Sequence, residues 1–293
     1  MDTDYTTSLF VCIDDFYKAY EAQIQQSMIA RGAKIRKPTR VTKLTTSEIC
    51  TIYLLFCNSG FANFKRFYLE MLRYHRKEFP NMPTYDRFIV LIKRIFPLMM
   101  HILKYMLDST SDIAYIDSTP IRVCGNKRTS MHKVFKGLAK LGKSSVGWFF
   151  GFKLHLVIDL SGKLQSFTLT PANENDRNPV ENLLKNFEGT VCGDKGYISA
   201  ELLQKLFAKG IKLVTGIKKG MENKLLELND KILLRKRSLI ESVIGLLKRN
   251  FSLEHSRHRS VANFCCHIVA ALLAYQLSEN KPHISWKNIL PNP

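Results

Sequence analysis

The sequence has no apolar run approaching the roughly 20 residues that a membrane-spanning helix needs. Its longest candidates, such as Cys265 to Leu273, are interrupted by His267, so membrane residence is not expected. No secretory leader is expected, because Met1-Asp2-Thr3-Asp4 is acidic where such a signal carries positive charge. The seven cysteines are odd in number and contain no Cys-x-x-Cys pair. That argues against a disulfide framework and for reduced, mostly buried thiols in a cytosolic protein. The shortage with most consequence is of acids: 25 Asp and Glu stand against 44 Lys and Arg, a net charge of +19 with an isoelectric point near 9.7. A chain this basic repels itself, so a polyanionic partner is expected, either nucleic acid or an anionic membrane surface.

What is present, 45% hydrophobic and 24% charged residues over 293 positions, is the balance of a globular chain with one large or two modest domains. The stretch Asp108-Ser109-Thr110-Ser111-Asp112 separates two halves, giving expected domains at 1–112 and 113–293. The first half reads as helical. Thr45-Thr46-Ser47-Glu48 fits a capping box opening the apolar segment Ile49 to Phe56. Thr84 is placed to start another helix, with Phe88, Leu91, Ile92 and Ile95 on one face until Pro97 interrupts it.

The second half changes period. Trp148, Phe150, Phe152, Leu154, Leu156 and Ile158 alternate as one long strand with a buried face, and Asp159-Leu160-Ser161-Gly162 turns it into an antiparallel partner at Lys163 to Thr170. Short strands are expected at Ile113 to Ile116, Thr190 to Cys192 and Ile211 to Ile217. Helices are expected with Asn178 as cap and Pro179 in the first position, from Ser199 to a cap at Gly210, from Ser238 to Asn250 and from Ala262 to Leu277. The fold class is therefore α/β: a mixed sheet flanked by helices, preceded by an all-helical N-terminal domain.

Charge is uneven along the chain. Residues 1–112 hold 16 Lys and Arg against 11 acids, whereas residues 113–293 hold 28 against 14. Between Asp117 and Asp159 there is no acid at all, while Arg122, Lys127, Arg128, Lys133, Lys136, Lys140, Lys143 and Lys153 fall there. With its glycines and serines the segment reads as a flexible basic loop that contacts phosphates. Arg235-Lys236-Arg237 forms a second cluster, with Lys248 and Arg249 further on.

Three acids are isolated within this basic half. Asp117 and Asp194 each end a short apolar strand, where sites in α/β domains are usually built and where Asp also serves simply as a turn former. Glu241 fits a capping box with Ser238, yet Arg237, Glu241 and Lys248 also lie near one helical face. Acids converging from two strands and a helix suit two-metal phosphoryl chemistry, because carboxylates are the hard ligands that paired Mg²⁺ ions require.

The chain resembles the DDE transposases of bacterial insertion sequences, most closely the IS982 group. The resemblance rests on Ile116-Asp117-Ser118-Thr119-Pro120, the run Trp148 to His155, Ala172-Asn173 with Asp176, Gly193-Asp194-Lys195-Gly196-Tyr197, and Lys236-Arg237 through Ile240-Glu241. It spans about Lys43 to Tyr275. It implies a ribonuclease H-like catalytic domain whose triad is Asp117, Asp194 and Glu241, holding two Mg²⁺ ions with Mn²⁺ able to substitute. Arg237 and Lys248 would then position phosphates, with Arg122, Lys127, Arg128, Lys133, Lys136 and Lys195 also on DNA. Leu234 stands where relatives carry Tyr, which removes a tyrosine contact from that helix.

The implied activity is cleavage at terminal inverted repeats, read by the helical domain, and strand transfer into target DNA by a homodimer or higher synaptic complex. The expected location is the bacterial cytoplasm, at the nucleoid. A nuclease of the same fold without strand transfer, and a non-catalytic DNA-binding protein of transposase descent, remain the alternatives. Among other candidates, Asp159 reads as a turn former, and Asp176 as a loop hydrogen-bonding residue or an auxiliary to the site. His255, His258, Cys265, Cys266 and His267 read as core residues ahead of an irregular zinc site. Trp148 reads as strand core ahead of a base-stacking surface.

Overall fold

The computed structural model describes residues 3–31, 43–107, 111–217, 227–254 and 258–284. They fall into two compact units, one of Met1–Met106 with Arg249–Leu277, the other of Leu107–Lys248 with the residues after Leu277. The first unit opens with helices α1 (Thr3–Ala30), α2 (Thr46–Asn58), α3 (Phe64–Tyr74), α4 (Tyr85–Ile92) and α5 (Phe96–Met106). Thr45 Oγ1 accepts from the Glu48 amide at 3.1 Å and Glu48 Oε2 accepts from the Thr45 amide at 2.6 Å, so the expected capping box starts α2. Phe88, Leu91, Ile92 and Ile95 are all buried. The helix that carries them stops at Ile92, passes through a 3₁₀ turn at Lys93–Ile95, and restarts as α5 with Pro97 in its first turn, where the missing N–H forfeits no bond.

The second unit is built on a six-stranded sheet: β1 (Ile113–Cys124), β2 (Lys140–Ser144), β3 (Gly147–Asp159), β4 (Leu164–Pro171), β5 (Gly189–Gly193) and β6 (Ile211–Thr215). β1 runs antiparallel to β3 and parallel to β5, and β5 is parallel to β6, in the order β2-β3-β1-β5-β6. β2 and β4 share the other edge of β3, pairing with Gly147 to Gly151 and Phe152 to Ile158 respectively. Helices α6 (Val180–Leu183), α7 (Ala200–Phe207), α8 (Leu228–Arg235) and α9 (Ser238–Arg249) complete the unit. One face of the sheet packs Ala114, Ile116, Val157 and Val191 against Val180, Leu183, Leu202 and Leu206. A mixed, ribonuclease H-like sheet preceded by an all-helical region is the architecture the sequence implies.

Several local expectations are corrected. Asp117 does not end its strand: β1 continues to Cys124 because it keeps β3 as partner as far as Phe150. Pro120 is tolerated there because pairing with β5 stops at Tyr115, leaving that edge free of a ladder the proline would break. The basic segment is not a flexible loop. It contains the end of β1, a 3₁₀ turn at Asn126–Arg128 and strand β2. Gly142 lets β2 close on the residue after β4, since a Cβ there would stand 2.1 Å from the Ala172 carbonyl oxygen. β3 is buried on both faces rather than one, while Trp148 near its start is 59% exposed. Asn178 does not cap α6; its amide donates to Glu174, and Pro179 takes the cap position.

The chain then returns to the first unit as α10 (Val261–Leu277), buried almost all round. Gln276 Nε2 donates to the Met106 carbonyl at 3.0 Å and Asn263 Nδ2 to that of Ile89 at 3.4 Å. An apolar helix carries no mark in the sequence of which core it enters. Among the described residues, no helix is long and apolar enough to cross a membrane.

Candidate active site

The site is assembled where β1 and β5 part. Both strands run the same way, pairing stops at Tyr115 opposite Cys192, and Asp117 and Asp194 lie just beyond, at the carboxyl ends of the parallel pair. Tyr115 Oη donates to the Leu233 carbonyl at 3.2 Å, so the odd-numbered side of β1 faces α8. Two residues on, Asp117 takes the same side and meets the turn between α8 and α9. There Arg237 Nη1 stands 3.5 Å from Asp117 Oδ2, and its Nη2 donates to Glu241 Oε1 at 2.7 Å. One guanidinium thus bridges a strand carboxylate and a helix carboxylate.

The electrostatics follow from that placement. Burial pushes the Asp117 carboxyl up to about 6 from 3.8, and the charges of Asp194 and Glu241 push the same way. The Ser118 amide, 2.8 Å from Asp117 Oδ1, and the Arg237 guanidinium pull it back. Asp117 therefore senses the other two acids, although among the described residues no three His, Cys, Asp or Glu side chains stand close enough to hold a metal ion. The capping-box reading of Glu241 is overturned, because the carboxylate that would turn back on Ser238 accepts from Arg237 instead. Asp194 is exposed and precedes a 3₁₀ turn at Lys195–Tyr197 without a side-chain cap bond. Lys195 is exposed, and its stem lies over Gly216. Lys248 Nζ donates to the Pro120 carbonyl at 3.4 Å, which brings the end of α9 onto β1.

Beneath the acids lies Tyr197, 2% exposed, its phenol pushed up by burial and by the charges of Asp117, Asp176 and Asp194. No local signal in the sequence marks this burial beyond the residue's place in Gly-Asp-Lys-Gly-Tyr. Lys153 is not free for phosphate: Nζ donates to Asp176 Oδ1 and to the Glu174 carbonyl, both at 2.8 Å. This pair gives Asp176 its loop hydrogen-bonding role. His155 is fully buried with Nε2 2.8 Å from Thr170 Oγ1, and burial lowers its pKa to about 4, so it is neutral. Arg122, Lys127, Arg128, Lys133 and Lys136 are all exposed, and none makes an ion pair with a described residue.

The competing acids and the zinc reading resolve as structural. Asp159 Oδ1 accepts from the Ser161 amide and hydroxyl and from the Lys163 amide, the work of a turn former. His267 is buried, with Nδ1 3.3 Å from Tyr53 Oη and Nε2 2.7 Å from the Ser252 carbonyl, while Cys266 Sγ lies against the Ile92 carbonyl. His255 lies outside the described residues.

The family described as transposase DDE domain matches residues 107–261, more than half of the chain. No curated protein matches it. Among solved structures the chain is similar to one described as the crystal structure of the Mos1 strand transfer complex. That match has 12% identity over 94% of this chain and 96% of the other, with a TM-score of 0.24. So loose a likeness carries no argument.

Proposed function

Taking as premise that this chain belongs to the transposase DDE domain family, we propose that it is an insertion-sequence transposase of the IS982 group, acting on bacterial DNA in the cytoplasm. It cuts phosphodiester bonds at the ends of its own element and joins the freed 3′ hydroxyls to target DNA. The observation that carries this reading is the bridge of Arg237 between Asp117 and Glu241, with the Asp117 carboxyl raised to about 6. Exposed carboxylates facing a partly buried one against their mutual repulsion are what a multiply charged cation site requires.

Asp117, Asp194 and Glu241 offer only carboxylate oxygens, the donors suited to Mg²⁺ or Mn²⁺, and Arg237 supplies between two of them the positive charge such ions would bring. Two bound divalent ions would stabilise the attacking and leaving oxygens of an in-line displacement. The chain's own residues do the rest. Arg237 holds Asp117 and Glu241 together and, once those carboxylates are otherwise neutralised, is free to meet a phosphate. Lys248 fixes α9 against β1. The exposed cations Arg122, Lys127, Arg128, Lys133, Lys136 and Lys195 neutralise the backbone of the DNA leading to the acids. The helical unit reads the terminal inverted repeats, and a dimer or larger assembly pairs the two ends.

A second reading, a DNA-binding protein of transposase descent without catalysis, is favoured by one observation. Among the described residues the carboxylates do not close into a three-ligand cluster. The test incubates the purified chain with DNA carrying the ends that flank its gene, a target plasmid and Mg²⁺. Joined products support transposition, cut ends without joining indicate a nuclease, and binding without cutting indicates the non-catalytic reading.

A further inference from the structure

Trp148 is the largest side chain left in the open on the sheet, and its setting is built rather than loose. It stands at the start of β3, after a two-residue loop, Ser145-Val146, closed by the Ser144 and Gly147 pair. Ser144 Oγ donates to the Gly147 carbonyl at 3.0 Å, and Gly147 has φ +127°, which a residue with a side chain would resist. Asn126 Nδ2 donates to the Trp148 carbonyl at 2.8 Å, pinning the 3₁₀ turn with Lys127 and Arg128 beside the indole's strand.

Register fixes what shares its face. Lys143 is paired with Trp148 across β2 and β3, so both side chains leave the sheet on the same side. Asp117 is paired with Leu156, eight residues along β3 from Trp148. With side chains alternating and a rise of about 3.3 Å per residue, the indole lies on the sheet face that carries Asp117, about 26 Å further along. Nothing between residues 118 and 158 is acidic.

We propose that the β2–β3 hairpin is a platform for an unpaired DNA base, which stacks on Trp148 while its neighbouring phosphates meet Lys143 and Arg128. The inference rests on the DNA reading above and adds the form of DNA: a strand whose bases have left the duplex. A flat exposed ring among cations that make no ion pair with a described residue is the combination that binds single strands without sequence preference. A second protein is the poorer occupant, because protein interfaces are depleted in lysine at their cores and this patch interleaves lysine with its apolar residues.

The test measures binding of the full chain to a single-stranded thymidine-rich oligonucleotide and to a duplex of equal length, for wild type, Trp148→Ala, Trp148→Phe and Lys143→Ala. The expected result is a loss of about tenfold in single-strand affinity for Trp148→Ala, with duplex affinity within about twofold and most of the loss restored in Trp148→Phe. Lys143→Ala weakens both. Equal losses on the two DNAs, no loss on the single strand, or a change of oligomeric state with single-strand affinity intact would each overturn the platform. Failure of the wild type to bind either DNA would instead overturn the DNA reading itself.

Discussion

Arg237 and Asp117 approach to 3.5 Å across the gap between an α8–α9 turn and the middle of β1, and the same guanidinium holds Glu241 at 2.7 Å. The arrangement stabilises two carboxylates that would otherwise repel, at a point where Asp117 is only 23% exposed. Its measurable consequences concern stability as much as chemistry.

Asp117 titrates higher in the folded chain than its ordinary 3.8, at about 6. A carboxyl raised on folding binds protons more tightly in the native state, so its contribution is most favourable below pH 4 and is lost as pH rises through 6. Asp117→Asn should therefore stabilise the metal-free protein at pH 7.5, by about 1–3 kcal/mol, and this gain should vanish near pH 4. Denaturant unfolding at the two pH values checks it.

Cleavage should follow the same group in the opposite sense, because only the ionised carboxylate is a ligand. The rate should climb with pH through about 6 and level off above it. Arg237→Ala removes a charge that holds Asp117 down, so the midpoint of the remaining activity should move upward. A pH–rate profile of both proteins reads the shift.

Lys133 and Lys136 are exposed and make no ion pair with any described residue. Replacing both by Ala should weaken duplex binding uniformly across sequences and flatten the slope of log affinity against log salt by about 1.8. Titrations at several salt concentrations give the slope.

Gly151 sits where a Cβ would stand 2.1 Å from the Ile121 carbonyl oxygen. Gly151→Ala must push β1 from β3 at Ile121, four residues along the strand from Asp117, and should cost at least about 2 kcal/mol, measured by thermal or denaturant unfolding, with activity falling in parallel.

How far the sequence reached depended on how local each determinant is. The Thr45–Glu48 box was legible because both partners lie within four residues. The hairpin at Asp159 was legible for the same reason. Glu241 carried two local motifs at once, and only the structure shows Arg237 taking the carboxylate from Ser238. Asp117 and Asp194 could be singled out as acids at apolar strands, but the true length of β1 depends on β3, whose pairing residues lie some thirty positions away. Lys153 looked like one more surface cation because its partner Asp176 is 23 residues distant. Trp148 continues the alternation of β3 perfectly, and alternation does not reveal where a sheet stops being covered.

The most direct measurement is strand transfer by Asp194→Ala. Asp194 is exposed, and its side chain makes no cap bond at the turn it precedes, so removing the carboxylate should leave folding and DNA binding close to wild type. The account predicts that end binding survives while metal-dependent cleavage and joining fall by about 10²–10³-fold, the scale on which loss of transition-state charge stabilisation is felt. Joining at the wild-type rate by this variant would contradict the assignment of Asp117, Asp194 and Glu241 as the catalytic acids.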